Sequence, residues 1–189
     1  QALNKDIRIY TQVCDVSIKE EINAFGDFCM EQFPTIDILI NNAGFFAPGD
    51  IHKEEDGMLE KMIATNLYSA YHLSRKIIPL LQKNKKGLIV NISSVAGLQA
   101  YPQGGSYSIS KFALTGFSQN LRHELKKDGI KVSTIYPGAT FSNSWDGSGI
   151  DENRIMAAQD VATVVYALTQ LSDKAVVEDI VLRPQLGDL

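Results

Sequence analysis

Tyr107 and Lys111 stand four positions apart in SYSISK (106–111), and Ser94 stands thirteen positions before the tyrosine, in NISSVAG (91–97). If SYSISK opens a helix, that spacing puts the phenol and the ammonium on one face. A free tyrosine has a pKa of about 10 and exchanges protons poorly at neutral pH. A nearby ammonium favours the phenolate and draws that pKa toward the working range. Beside a carbonyl, such a tyrosine can give a proton to a developing alkoxide while Ser94 hydrogen-bonds the same oxygen. Tyrosine–lysine pairs at this spacing are also common as plain structural pairs, so the pair alone does not establish chemistry. NNAG (41–44) is a second candidate. Its small residues let backbone approach a flat ligand, and Gly44 permits a tight turn. The same four residues also suit an ordinary strand-to-loop turn.

Five segments have the apolar character of strands: IRIYTQV (7–13), DILIN (37–41), GLIVNIS (87–93), KVSTIYP (131–137) and part of VVEDIVLRP (176–184). Helical spacing of apolar residues predicts helices over 18–32, 55–83, 106–127 and 160–171, the first opened by Ser17 as N-cap. Strands that alternate with helices and read as continuous apolar runs predict a parallel sheet covered by helices on both faces. NNAG, SSVAG (93–97) and PGATFS (137–142) each follow a strand. Ligands of open parallel sheets bind beyond the carboxyl ends of strands, so the three loops point to one crevice.

The chain of 189 residues is 44% hydrophobic and 21% charged, the balance of an ordinary globular domain over 1–189. Its net charge of -4 leaves no basic footprint for nucleic acid, and the cluster KNKK (83–86) reads as a solvated helix end. Cys14 and Cys29 form no partner motif and fit packing roles in a reducing compartment. No apolar run approaches the ~20 residues that span a bilayer, and QALNKDIRIY lacks the apolar stretch of a signal peptide, so no membrane partner and a cytoplasmic location are expected. His52, His72 and His123 are scattered without metal-ligand spacing, so no metal is expected. FSNSWDGSG (141–149) reads as a substrate lid in which Trp145 touches substrate, or as a surface loop with a tucked-in tryptophan. Phe45, Phe46 and Tyr101 suit either an apolar pocket or ordinary packing.

NNAG, then Asn66, Ser94, Tyr-x-x-x-Lys and Pro137-Gly138 form an ordered set across nearly the whole chain. That set resembles the short-chain dehydrogenase/reductase family, whose fold is a doubly wound, Rossmann-like α/β parallel sheet. The resemblance implies an oxidoreductase that interconverts a carbonyl and an alcohol with NADP or NAD, the cofactor supplying the hydride that no side chain can. It implies Tyr107 as catalytic acid/base, Lys111 as the residue that lowers the tyrosine pKa and binds the nicotinamide ribose, and Ser94 as the substrate-orienting serine. Asn66 matches the helix asparagine that supports a proton relay to the lysine. Asn41, Ala43 and Gly44 match the adenosine side of the cofactor site, and Asp15 the acidic residue near the adenine. Pro137 and Gly138 match the loop at the nicotinamide, and Ser142 stands where the family often has threonine. The implied substrates are 3-oxoacyl thioesters or small ketones of the sepiapterin type, and a non-catalytic dinucleotide-binding subunit is the competing reading. Relatives usually pair through the two long helices, which implies a homodimer or homotetramer.

The family's opening TGxxxGxG turn has no counterpart here, and IRIYTQV matches its third strand. The chain is therefore expected to lack the first two strand–helix units, roughly 45–50 residues. Without them, strands 7–13 and 37–41 would stand about 14 Å apart and unpaired with each other.

Overall fold

In the computed structural model, residues 7–142 and 149–189 are described. Four parallel strands form one sheet in the order β1-β2-β3-β4: β1 (Ile38–Asn41), β2 (Gly87–Ile92), β3 (Ile130–Pro137) and β4 (Asp179–Leu182). Register runs from Ile38↔Leu88 to Asn41↔Asn91 between β1 and β2, and from Gly87↔Ile130 to Ile92↔Ile135 between β2 and β3. Parallel neighbours need crossover connections, and helices supply them. These are α2 (Met58–Ile63) running into α3 (Ser69–Asn84), then α4 (Gly105–Leu125) and α5 (Ala158–Thr169). A further helix, α1 (Lys19–Gln32), lies against α3. At Gly26 a Cβ would stand 2.5 Å from the Lys76 side chain, so glycine allows the two helices their close approach.

Alternation along β2 sends successive residues to opposite faces. Ile89 joins Leu39, Ile77, Leu81, Leu121 and Val132 in a core between the sheet and α3–α4. Leu88 and Val90 join Ile135 and Leu168 in a second core under α5. Fully burying one such aliphatic side chain stabilises the fold by about 1.5–3 kcal/mol. Helices therefore cover both faces of the β2–β3 centre, as the continuous apolar runs predict.

Two local expectations are corrected. Residues 7–13 form no strand: they are exposed, with Ile9 at 66% and Val13 at 98%. Strand propensity needs a neighbouring strand to bond, and none lies alongside among the described residues. Ser17 does not cap α1. Its amide and hydroxyl both donate to Asp15 Oδ1, at 2.9 and 2.7 Å, building a turn that ends before the helix. The N-cap position is Ile18, which offers no side-chain acceptor. Glu20 and Glu21 in the first turn instead complement the helix dipole. The expected lid and Trp145 fall mostly on residues outside the described ones.

Candidate active site

The carboxyl ends of β2 and β3, with the loops after β1 and before α4, enclose a cleft of about 930 Å³. That is the size of a cofactor or small-molecule site. β2 passes straight into the serine pair. Ser93 continues the ladder, its amide donating to Ile135 O at 2.8 Å, and its hydroxyl bonds the backbone of α4 at Lys111 O, 3.3 Å away. Ser94 turns the other way. It opens a short 3₁₀ turn over Val95–Gly97, accepts from Ala96 N at 3.1 Å and lies close enough to the Tyr107 phenol to draw its pKa down. The two adjacent serines thus divide into one structural and one cleft-facing hydroxyl. Gly97 makes this packing possible, since a Cβ there would meet Lys111 O at 2.8 Å.

Tyr107 and Lys111 project from the first turns of α4 toward the same place. The ammonium stands 5.7 Å from the tyrosine ring centroid and donates to Ile92 O at 3.0 Å. Burial pushes the lysine pKa down to about 8, because a desolvated ammonium is disfavoured. Burial likewise pushes the Tyr107 phenol up, and the Ser94 hydroxyl pulls it partly back. The sequence expectation of a lowered tyrosine pKa is therefore not met in this state of the chain: desolvation outweighs the pull of Ser94. Phe46 lies edge-on to the Tyr107 ring with centroids 4.9 Å apart and narrows the cleft beside it.

Asn66 sits in a wide π-turn, Ala64–Tyr68, between α2 and α3. Its Oδ1 accepts from Phe45 N at 2.6 Å, and its Nδ2 donates to Phe45 O and Ser110 Oγ, both at 2.9 Å. One buried side chain thereby ties the loop after β1 to the helix that bears Tyr107. Gly44 lines the cleft, where a Cβ would stand 3.4 Å from Lys111 Nζ and 3.5 Å from Asn66 Oδ1. The loop after β3 brings Pro137, Gly138 and Ser142 to the wall.

Besides Asn66, which is buried behind the wall, three candidates do not reach this cleft. Asn41 is buried behind it, donating to Asn91 Oδ1 at 2.7 Å and Ser74 Oγ at 3.1 Å, and Asn42 takes the wall position instead. Ala43 is exposed beside it. Asp15 stays in the turn before α1, where the Ser17 hydroxyl and amide hold its carboxyl below the usual range. Sequence reading missed Asp188, which accepts from Tyr101 Oη at 2.5 Å, pairs with Arg183 and closes one side of the cleft. Its distance in sequence from every motif left no signal.

An apolar-walled cleft with a buried cation, a phenol and a hydroxyl can bind a flat, polar ligand and pass a proton to an oxygen held between Ser94 and Tyr107. Comparison with known proteins gives the same direction. Residues 1–152 match the sequence profile described as short chain dehydrogenase. An uncharacterized oxidoreductase of Staphylococcus epidermidis is 31% identical over 185 residues, covering 97% of this chain and 79% of its own. Sepiapterin reductase of Chlorobaculum tepidum is 29% identical over 184 residues, covering 95% of this chain and 74% of its own. Among solved structures, a metagenomic short-chain oxidoreductase in complex with NADP is 30% identical, with a TM-score of 0.75 over 91% of this chain and 72% of its own. The closed form of serine dehydrogenase complexed with NADP+ is 27% identical, with a TM-score of 0.84 over 93% of this chain and 76% of its own.

Proposed function

Because the chain belongs to the short chain dehydrogenase family, we propose that it reduces a ketone to an alcohol, and the reverse, with NADP(H) or NAD(H) and with Tyr107 as the acid/base. The observation that carries this reading is the convergence of Ser94, Tyr107 and Lys111 on one side of the cleft. The site fits a nicotinamide dinucleotide on its own terms: Gly44 leaves open the space a Cβ would fill, and buried Lys111 offers a donor next to it. Lys111, Tyr107, Gly44, Pro137, Gly138 and Ser142 would hold its nicotinamide half, while Asp15, Asn41 and Ala43 remain candidates for the adenosine side. Bound there, the cofactor supplies the hydride.

The chain's own residues do the rest. Ser94 holds the substrate oxygen. Tyr107 donates its proton to that oxygen as charge develops on it, and in oxidation takes it back. Lys111, as an ammonium, stabilises the phenolate left behind. Asn66 keeps the loop and α4 in register so that these groups stay together. Of the suggested substrates, small ketones of the sepiapterin type gain support from the Chlorobaculum tepidum relative; 3-oxoacyl thioesters rest on the sequence resemblance alone. Exposed Ile109 (40%) and Phe112 (45%) on α4 support a homodimer or homotetramer formed through that helix, which light scattering tests.

Replacing Tyr107 with Phe decides between an enzyme and a non-catalytic nucleotide binder. Turnover of sepiapterin or acetoacetyl-CoA with NADPH should fall about 10²–10⁴-fold, while NADPH fluorescence titration stays unchanged. Unaltered turnover would remove Tyr107 from the mechanism.

A further inference from the structure

The helix that carries the proposed acid has no cap of its own. Gly104 occupies its N-cap position and has no side chain to accept from the first free amides, yet those N–H groups need partners. The partner comes from the loop before α2, 52 positions earlier. Glu54 Oε1 accepts from Ser106 N at 2.9 Å, and Glu54 Oε2 accepts from Ser106 Oγ. Gly49 N donates to Gln103 O at 2.9 Å, so the same loop is fastened a second time beside the cleft-lining residues Gln103 and Gly104. Gly105 bears a φ of 39°, and a Cβ there would stand 2.5 Å from Gly49 O and collide with the Glu54 carboxylate. Gly105 thus admits the loop, while Gly104 gives up any local cap. Ser106, 3% exposed, is buried under the contact, and Glu54 joins no salt bridge among the described residues.

We propose that Glu54 is a positioning residue: it caps α4 from across the cleft rim and, through Ser106, fixes the neighbouring Tyr107 so that its hydroxyl stays beside Ser94. A carboxylate suits the task, since it accepts two bonds at once and complements the positive end of the helix dipole. Misplacing an acid by about 1 Å costs up to about 10²-fold in rate, so even a small relaxation of the first turn is felt at Tyr107. The inference rests on the reading of Tyr107 given above.

The test compares Glu54→Ala, Glu54→Gln and Tyr107→Phe in the full-length protein. Each is labelled with 3-fluorotyrosine, and Tyr107→Phe identifies the Tyr107 resonance by its loss. Glu54→Ala should shift or broaden that resonance and leave those of distant Tyr136 and Tyr166 in place. It should lower kcat for sepiapterin or acetoacetyl-CoA about ten-fold or more, with KM for NADPH within two-fold. Glu54→Gln keeps the acceptor for Ser106 N and should restore both readouts to near wild type. An unmoved Tyr107 resonance in Glu54→Ala overturns the inference. So does a loss shared by all tyrosine resonances together with nucleotide binding, which marks a general defect of the fold, and so does failure of Gln to rescue. If Tyr107→Phe keeps its turnover, the reading of Tyr107 fails, while the resonance still reports whether Glu54 holds that side chain.

Discussion

β1 and β2 are bonded neighbours with similar sequences, yet they live in different surroundings. In β2, Ile89 and Val90 are fully buried on opposite faces. In β1, Leu39 and Asn41 are buried, whereas Ile38 and Ile40 are 41% and 46% exposed. The first pair lies under α3–α4, and the exposed pair faces away with no helix over it among the described residues; Ile40 forms part of the cleft wall. An apolar run therefore states what a strand is able to bury. Which neighbours cover it is settled by segments far away in the chain.

The contrast can be broken by mutation. Leu81→Ala opens a cavity where α3 meets the sheet and should cost about 2–5 kcal/mol in urea unfolding. Ile38→Ser, on the open face of β1, should stay within about 0.5 kcal/mol; comparable losses at the two sites would erase the distinction. Between these limits lies Asn41→Ala. It strips the donor from Asn91 Oδ1 and Ser74 Oγ inside the core and should cost about 1–3 kcal/mol, although NADPH affinity should hold if the side chain only supports the sheet.

In pH dependence the catalytic end and the fold should respond with opposite signs. The Lys111 pKa is lowered from 10.5 to about 8 in the folded chain. Between those values the unfolded chain holds a proton that the folded chain has released, so stability rises with pH across that window. Over the same window the ammonium is lost, and kcat/KM for ketone reduction should fall up to ten-fold per pH unit above about 8. Lys111→Met should abolish both trends; a falling limb that persists in it would assign the limb to another group.

Much of this was legible in the sequence. The apolar runs of β2 and β3 and the four-residue spacing of Tyr107 and Lys111 are local patterns, and local patterns survive folding. Segment 7–13 misled because its β-branched and aromatic residues report propensity, while a strand exists only with a bonded partner. Ser17 has the chemistry of a cap but is occupied by Asp15, one position before the N-cap Ile18. The upward shift of Tyr107 comes from burial by loops distant in sequence, and spacing carries no record of it. Glu54 and Asp188 escaped notice for the same reason: each reaches a partner far along the chain, Ser106 at 52 residues from Glu54 and Tyr101 at 87 from Asp188.

The π-turn at Ala64–Tyr68 makes α2 and α3 continuous in length but offset in phase. An α-helix advances by about 100° per residue, and the widened turn absorbs one residue more than a regular helix holds. Deleting a residue from 64–68 would regularise the rod without unfolding either half. With Thr65 the residue removed, the widened turn that aims Asn66 would be gone, and the amide that clasps Phe45 would face another direction. At this point the length of the chain works as an angle.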